Sequence, residues 1–342
     1  MKDHVYVHIF QGSASECILV AMLTARHHAI KRLRRECENE HDSTFLPKLV
    51  AYYSQETHSS VEKAANICLV HKHCLDTDVH YRLDGCTLEE AIEEDIKCGL
   101  TPFFVVATLG TTNMSAFDKL LEIVNVCRCY DDIWIHVDAT YAGNCFVCPE
   151  NRHLMEGIQC VDSFNCNPHE WILVVPDCSV IYYKELCKVN RAMHVEHDVA
   201  NFGGDDLDSF SLSQSRRFRA MKLWYIFRSY GIEGLQAHIR RACCLAKCFK
   251  ALVKQDNRFE VINDVQTGLV CFKLNGSNEV NQKLLESINC EGQIYLTPTV
   301  VKRRYLIRFS VNYQKASEQD IYVAWKIIKR HADKFTRCNK IC

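Results

Sequence analysis

Four short segments of this 342-residue chain carry side chains whose type and spacing can do chemistry. Asn167-Pro168-His169-Glu170 sets an amide, an imidazole and a carboxylate side by side, within the stretch 161–184 that organises the rest. Gln11-Gly12-Ser13-Ala14-Ser15-Glu16 opens a helical pattern continued by Ile18, Leu19, Met22, Leu23, Ile30 and Leu33. Ser13 and Glu16 have capping-box spacing, and Gly12 lets the backbone turn tightly before them. An exposed helix N-terminus offers unpaired N–H groups and positive dipole, a seat for phosphate, although capping boxes also begin many ordinary helices. His58 falls between a strand-like run at 49–53 and a helix that Ser59 and Glu62 are spaced to cap. Such turns line the ligand crevice of an α/β sheet; a loop histidine without a role is the alternative. Asp138 closes a strand-like run at 134–137, where a carboxylate either caps the next turn or holds a protonated ring nitrogen.

The elements between these segments set their positions. Residues 87–98 read as a helix, with Thr87 and Glu90 at its start and Gly99 past its end. The run 102–108 is continuously apolar, as a strand covered on both faces should be, and ends in Leu109-Gly110-Thr111-Thr112. Residues 117–127 read as an amphipathic helix. Strand, helix and strand in this rhythm predict parallel βαβ units with right-handed crossovers. Residues 171–175 and 180–183 read as strands joined around Pro176-Asp177. After Lys184 the pattern dissolves until a helix at 218–228, and the span containing Gly203-Gly204-Asp205-Asp206 reads as a mobile loop. A helix at 232–254 leads into a compact α+β unit, with strands at 259–261, 268–274 and 305–309 and helices at 279–289 and 317–333. The expected fold is α/β, a mostly parallel sheet covered by helices, with a large domain at 1–230 and a smaller α+β domain at 231–342.

Composition narrows the function. With 41 basic and 42 acidic residues, the chain has no positive excess to drive binding to a nucleic-acid backbone. No apolar run is long enough to span a bilayer, and the first residues lack a signal-peptide pattern. Twenty-one scattered cysteines without a secretion signal read as reduced cytosolic thiols, hence a cytoplasmic protein. Cys145 and Cys148 form a Cys-x-x-Cys without a second pair, more in keeping with buried thiols than with a metal or redox centre. His71, His73 and Cys74 read as a solvated strand rather than a metal site.

From residue 8 to about 337, and most strongly between Gly99 and Lys184, the chain resembles the group II decarboxylases that use pyridoxal 5′-phosphate (PLP), closest to the aromatic-L-amino-acid decarboxylases. The resemblance implies the PLP-dependent transferase fold (fold type I). It implies a cofactor phosphate at Ala14 and Ser15, with Thr112 and Asn167 around the cofactor, His58 stacked on its ring and Asp138 on the ring nitrogen. Held protonated, that ring is an electron sink for a developing carbanion. The family places an alanine where this chain has Thr140, whose added bulk is expected to crowd the cofactor. His169 matches the family histidine before the catalytic lysine, whose amine bonds covalently to the cofactor aldehyde. This chain has Glu170 there, and a carboxylate cannot form that bond. Two like charges about 4 Å apart cost on the order of 4 kcal/mol at an effective dielectric near 20, which sets Glu170 against substrate carboxylate and cofactor phosphate. The catalytic-loop tyrosine that protonates the family's intermediate has its matching place near Leu207.

Met1 lies only a few residues before the phosphate turn, where the resembled enzymes have a long helical segment that interlocks subunits and builds part of the substrate pocket. Without it, apolar surface on the large domain is expected to be exposed. The expected activity class is amino acid to amine plus carbon dioxide, on aromatic amino acids such as dopa or 5-hydroxytryptophan, in the chemistry of catecholamine biosynthesis. Glu170 implies that turnover is impaired and that PLP is held without a covalent bond. Three readings stand: a pseudoenzyme that partners an intact paralogue, a carboxy-lyase working without the lysine, and a non-functional product. The expected assembly is a homodimer, or a heterodimer with a homologue.

Overall fold

A computed structural model describes residues 7–35, 40–130, 132–193, 212 and 217–338. The chain divides into two compact units. The first comprises Met1–Gly110, Phe117–Phe146 and Glu150–Ser229, and the second Thr111–Ala116, Val147–Pro149 and Tyr230–Cys342. The predicted positions 203–206 and Leu207 lie outside the described residues.

In chain order, the first unit contains β1 (Val7–Gln11), α1 (Ala14–Arg34), β2 (Leu49–Ser54), α2 (Ser59–Cys68) and β3 (His71–Leu75). Then come α3 (Gly85–Lys97), β4 (Thr101–Thr108), α4 (Leu120–Cys127), β5 (Trp134–Asp138), β6 (Ser163–Cys166), α5 (Pro168–Trp171), β7 (Ser179–Tyr183) and α6 (Leu186–Met193). Its seven strands are ordered β1-β7-β6-β5-β4-β2-β3. β3, β2, β4, β5 and β6 run parallel, and β7 pairs antiparallel with both β6 and β1. Every residue of β4 after Thr101 is buried. Alternate strand residues point to opposite faces, so both faces of the sheet centre are covered, as the apolar run predicts. Cys17, Ile18, Val20, Ala21 and Met22 of α1 are fully buried in one core with Phe104 and Val106 of β4.

Local chemistry moves several boundaries from those read in the sequence. His58 itself, not Ser59, caps α2: its Nδ1 accepts the Ser60 N–H at 3.2 Å. Asp84 caps α3 through the Thr87 N–H at 3.0 Å, so that helix starts two residues before Thr87. The helix expected from 117 starts at Leu120, because buried Asp118 is committed to the N–H groups of Leu83 and Thr108, both at 2.7 Å. The strand expected at 171–175 is absent: Pro168 opens a short helix that ends at Trp171, whose indole stacks on Tyr141 at 4.6 Å. The strand of this region is β6, just upstream. α6 occupies part of the span read as structureless after Lys184.

The second unit holds a four-stranded antiparallel sheet ordered β10-β11-β9-β8, from Thr297–Val301, Arg304–Ser310, Leu269–Leu274 and Phe259–Val261. α8 (Asn278–Glu291) and α9 (Glu318–Cys338) complete it, and Phe249, Phe272, Phe309 and Trp325 pack as its aromatic centre. Helix α7 (Ala220–Lys254) contains the boundary between the units and has non-helical backbone at Gly231. The sequence pattern missed β1 and β10.

Candidate active site

Strands β4, β5 and β6 end in register, Thr108 beside Asp138 and Asp138 beside Asn165. The turns that leave them therefore gather at one edge of the first unit. Two glycines let these turns close. Gly110 sits at φ +87°, and a Cβ there would lie 2.3 Å from the Ala142 Cβ. A Cβ on Gly143 would lie 2.7 Å from that of Cys166.

Asp138 is 4% exposed, and its bonds converge on one oxygen. Oδ1 accepts from the Thr140 N–H at 3.1 Å, from the Thr140 hydroxyl in a short bond, and from Asn165 Nδ2 at 3.4 Å. Among the described residues no donor is seen on Oδ2, which leaves one carboxylate oxygen for a ligand. The Thr140 side chain also accepts from Asn165 Nδ2 at 3.0 Å.

Behind Asp138 runs a buried chain whose donors all point one way. Trp134 Nε1 can only donate, so Ser163 Oγ accepts from it at 2.8 Å and turns its own hydrogen toward His136 Nδ1 at 2.8 Å. That places the ring proton on Nε2, which donates to Asn165 Oδ1 at 2.9 Å. Asn165 then donates to Thr140 and Asp138. His136, Ser163 and Asn165 are fully buried. Burial pushes the His136 pKa down to about 4, so the ring is neutral at physiological pH. Sequence reasoning missed this chain. Its signal was polar residues two apart on strands, Ser163 with Asn165 and His136 with Asp138, each pair facing one side.

The turn after β6 is equally tied. Asn167 N–H donates to Thr140 O at 2.9 Å, and Asn144 Nδ2 donates to Asn167 O at 2.9 Å. The Asn167 side chain accepts from Ser179 Oγ at 2.6 Å and donates through Nδ2 to Glu170 Oε1 at 2.8 Å. His169 Nδ1 lies 2.6 Å from Cys178 O and 3.1 Å from Cys178 N, so the ring is tied to the Cys178 backbone through that nitrogen. Glu170 is exposed as a residue, but protein crowds its carboxyl. The loss of solvent raises its pKa above the ordinary value, and Asp138 adds to the rise. Asn167, His169 and His58 act in the opposite direction. The Glu170 carboxyl therefore lies within electrostatic reach of both Asp138 and His58.

At the start of α1, Ser13 Oγ accepts the Glu16 N–H at 3.3 Å, and Glu16 Oε2 accepts the Gly12 N–H at 2.9 Å. Ala14 and Ser15 occupy the first two helical positions, whose N–H groups have no acceptor within the helix. Nearby, Asp177 binds Arg219 at 2.8 Å and Lys222 at 3.0 Å, and the two cations hold its carboxyl well below the usual carboxylate range. His58 is exposed beside Thr57, whose hydroxyl lies 3.3 Å from that of Thr108. Thr112 is exposed and belongs to the second unit, in a turn closed by the Thr111 N–H on Ala116 O at 2.9 Å. Cys145 and Cys148 are buried thiols, and His73 is paired with Asp95 at 2.8 Å.

Over residues 2–275 the sequence matches the family described as the pyridoxal-dependent decarboxylase conserved domain. It is 41% identical to the aromatic-L-amino-acid decarboxylase of Cavia porcellus across 338 residues, 97% of this chain and 70% of that protein. To the Drosophila lebanonensis enzyme of the same name it is 44% identical across 330 residues, 95% of this chain and 81% of the other. The fold matches the crystal structure of Oryza sativa TDC with PLP and tryptamine at a TM-score of 0.90 and 31% identity, covering 96% of this chain and 71% of that one. Sequence, sheet order and the clustering of Asp138, Asn167 and residue 170 at one sheet edge agree on a single conclusion: the chain belongs to the pyridoxal-dependent decarboxylase family.

Proposed function

We propose that this chain is an aromatic-L-amino-acid decarboxylase-like protein that keeps a seat for PLP but is impaired in turnover, because Glu170 stands where the family's amine bonds the cofactor. The observation that carries this reading is the Glu170 carboxyl, bonded to Asn167 Nδ2 and within electrostatic reach of Asp138 and His58. The remaining residues fit the cofactor. The N–H groups of Ala14 and Ser15 suit its phosphate, the open Oδ2 of Asp138 suits a protonated ring nitrogen, and exposed His58 suits a ring face. Thr112, Thr140, Asn167 and His169 complete the assignment on the strength of the resemblance, within a large domain at 1–230 and a small one at 231–342. When bound, PLP supplies an electron sink for a carbanion at the reacting carbon. What Glu170 cannot supply is an amine to condense with the cofactor aldehyde, and a carboxylate there also repels the carboxylate of an amino-acid substrate.

Purified chain mixed with PLP and treated with borohydride should give no stable adduct by mass spectrometry, whereas Glu170→Lys should. A wild-type adduct at any lysine of this site refutes the reading. Release of carbon dioxide from dopa or 5-hydroxytryptophan above a PLP-only control would establish the alternative, an active carboxy-lyase.

A second reading, that the chain partners a homologous decarboxylase, is favoured by Phe218, just before α7, and Met221, Trp224, Tyr225 and Phe227 in its first turns, which are all exposed. Co-expression with an intact homologue followed by native mass spectrometry tests it; recovery only as separate chains refutes it. The cysteine-rich composition supports a cytoplasmic setting, which fractionation of tagged protein checks.

A further inference from the structure

We propose that the carboxylate at position 170 reverses the charge preference of the site, so that this chain binds the amine form of the cofactor, pyridoxamine phosphate, in preference to the aldehyde form. The inference rests on the cofactor seat proposed above and adds which chemical form that seat takes.

Glu170 Oε1 accepts one N–H of Asn167, and among the described residues no donor is seen on Oε2. The site therefore presents an open acceptor where its relatives present an amine donor. An aldehyde oxygen is itself only an acceptor and has nothing to give a carboxylate. A primary ammonium brings three donors and the opposite charge, and can form a charge-assisted hydrogen bond. Among the described residues no second donor is bonded to the carboxylate: His169 is tied to the Cys178 backbone through Nδ1, and Asn167 is shared between Glu170 and Ser179. Lys222, in the first turn of α7, is held by Pro176 O, Asp177 O and Asp177 Oδ1 at 3.0–3.1 Å. Phosphate and ring contacts are common to the two cofactor forms, so the difference falls on residue 170. A charge-assisted hydrogen bond of ordinary strength corresponds to roughly a 10- to 100-fold preference.

The test is equilibrium titration of the full chain at about pH 8, where carboxylates are ionised. Calorimetry would follow pyridoxamine phosphate, pyridoxal phosphate and inorganic phosphate, for wild type, Glu170→Gln and Glu170→Lys, with circular dichroism confirming that each variant is folded. The wild type should bind the amine form at least tenfold tighter than the aldehyde form. Glu170→Gln should lose most of that ratio by weakening the amine form, with the aldehyde form unchanged or tighter, and Glu170→Lys should invert it. Equal or tighter wild-type binding of the aldehyde form overturns the inference and leaves the cofactor seat standing. So does an unchanged ratio in Glu170→Gln. Binding of neither form by folded protein overturns the inference together with the seat.

Discussion

Replacing Asn165 by leucine, a side chain of similar size without polar atoms, tests the one-way hydrogen-bond chain behind Asp138. The substitution removes the acceptor of His136 Nε2, at a site with no solvent exposure. A buried donor left without a partner costs about 1–3 kcal/mol. The 3.0 Å bond to Thr140 is also lost, at about 0.5 kcal/mol, because that half-buried hydroxyl can recruit water. The 3.4 Å bond to Asp138 is long and contributes about 0.5 kcal/mol. Leucine recovers about 1 kcal/mol of apolar burial. The expected net loss is about 2 kcal/mol. Urea unfolding followed by tryptophan fluorescence reports it as a lowered midpoint at unchanged slope. Ring nitrogen shifts of His136 supply the second readout, one neutral tautomer with the proton on Nε2 in wild type and a mixture in the variant. A midpoint within about 0.5 kcal/mol of wild type, or a wild-type ring protonated on Nδ1, refutes the directed chain.

Four further outcomes follow from the same geometry. Burial holds His136 at about 4, so its contribution to stability is complete above the ordinary histidine value of 6.5 and is lost as pH falls toward 4; His136→Gln should flatten the urea midpoint across that window. Asp118, pushed up to about 7 by burial, acts in the opposite sense: its contribution is complete below 3.8 and is lost as pH rises through 7, so Asp118→Asn should steepen the rise of stability with pH. Gly110→Ala should cost about 3 kcal/mol or more, seen as a lowered melting temperature or loss of soluble protein, because φ is +87° and the Ala142 Cβ is 2.3 Å away; wild-type melting would refute this. His58→Ala should lose about 1 kcal/mol of capping energy in a thermal melt, and His58→Asn should recover it; equal losses would refute the capping role.

Much of the sheet was legible because its centre is apolar on both faces. The run that became β4 needs no partner to be recognised, and Asp138 and Asn167 announce turns through their types. What the pattern hid depends on contacts between strands. Ser163-Phe164-Asn165-Cys166 carries no apolar run to mark it, yet it is β6, because Ser163 and Asn165 spend their polarity on His136 and Trp134 across the strand pair. The apolar residues after Glu170 look like a strand, but Pro168 opens a helical turn and Trp171 is claimed by Tyr141. Thr140 reads as added bulk in sequence; in the fold its hydroxyl is a donor to Asp138. Helix starts slipped by one to three residues because His58, Asp84 and Asp118 act through side-chain bonds that spacing does not disclose.

The ion cluster of Asp177 with Arg219 and Lys222 bears on how an anion is received beside it. Both cations are committed to a neighbouring acid, so the amino end of α1 meets an incoming phosphate chiefly with neutral N–H dipoles. Attraction of that kind acts at contact range and releases few counterions. Capture of a phosphorylated ligand here should therefore depend on shape and close approach, and change little with added salt.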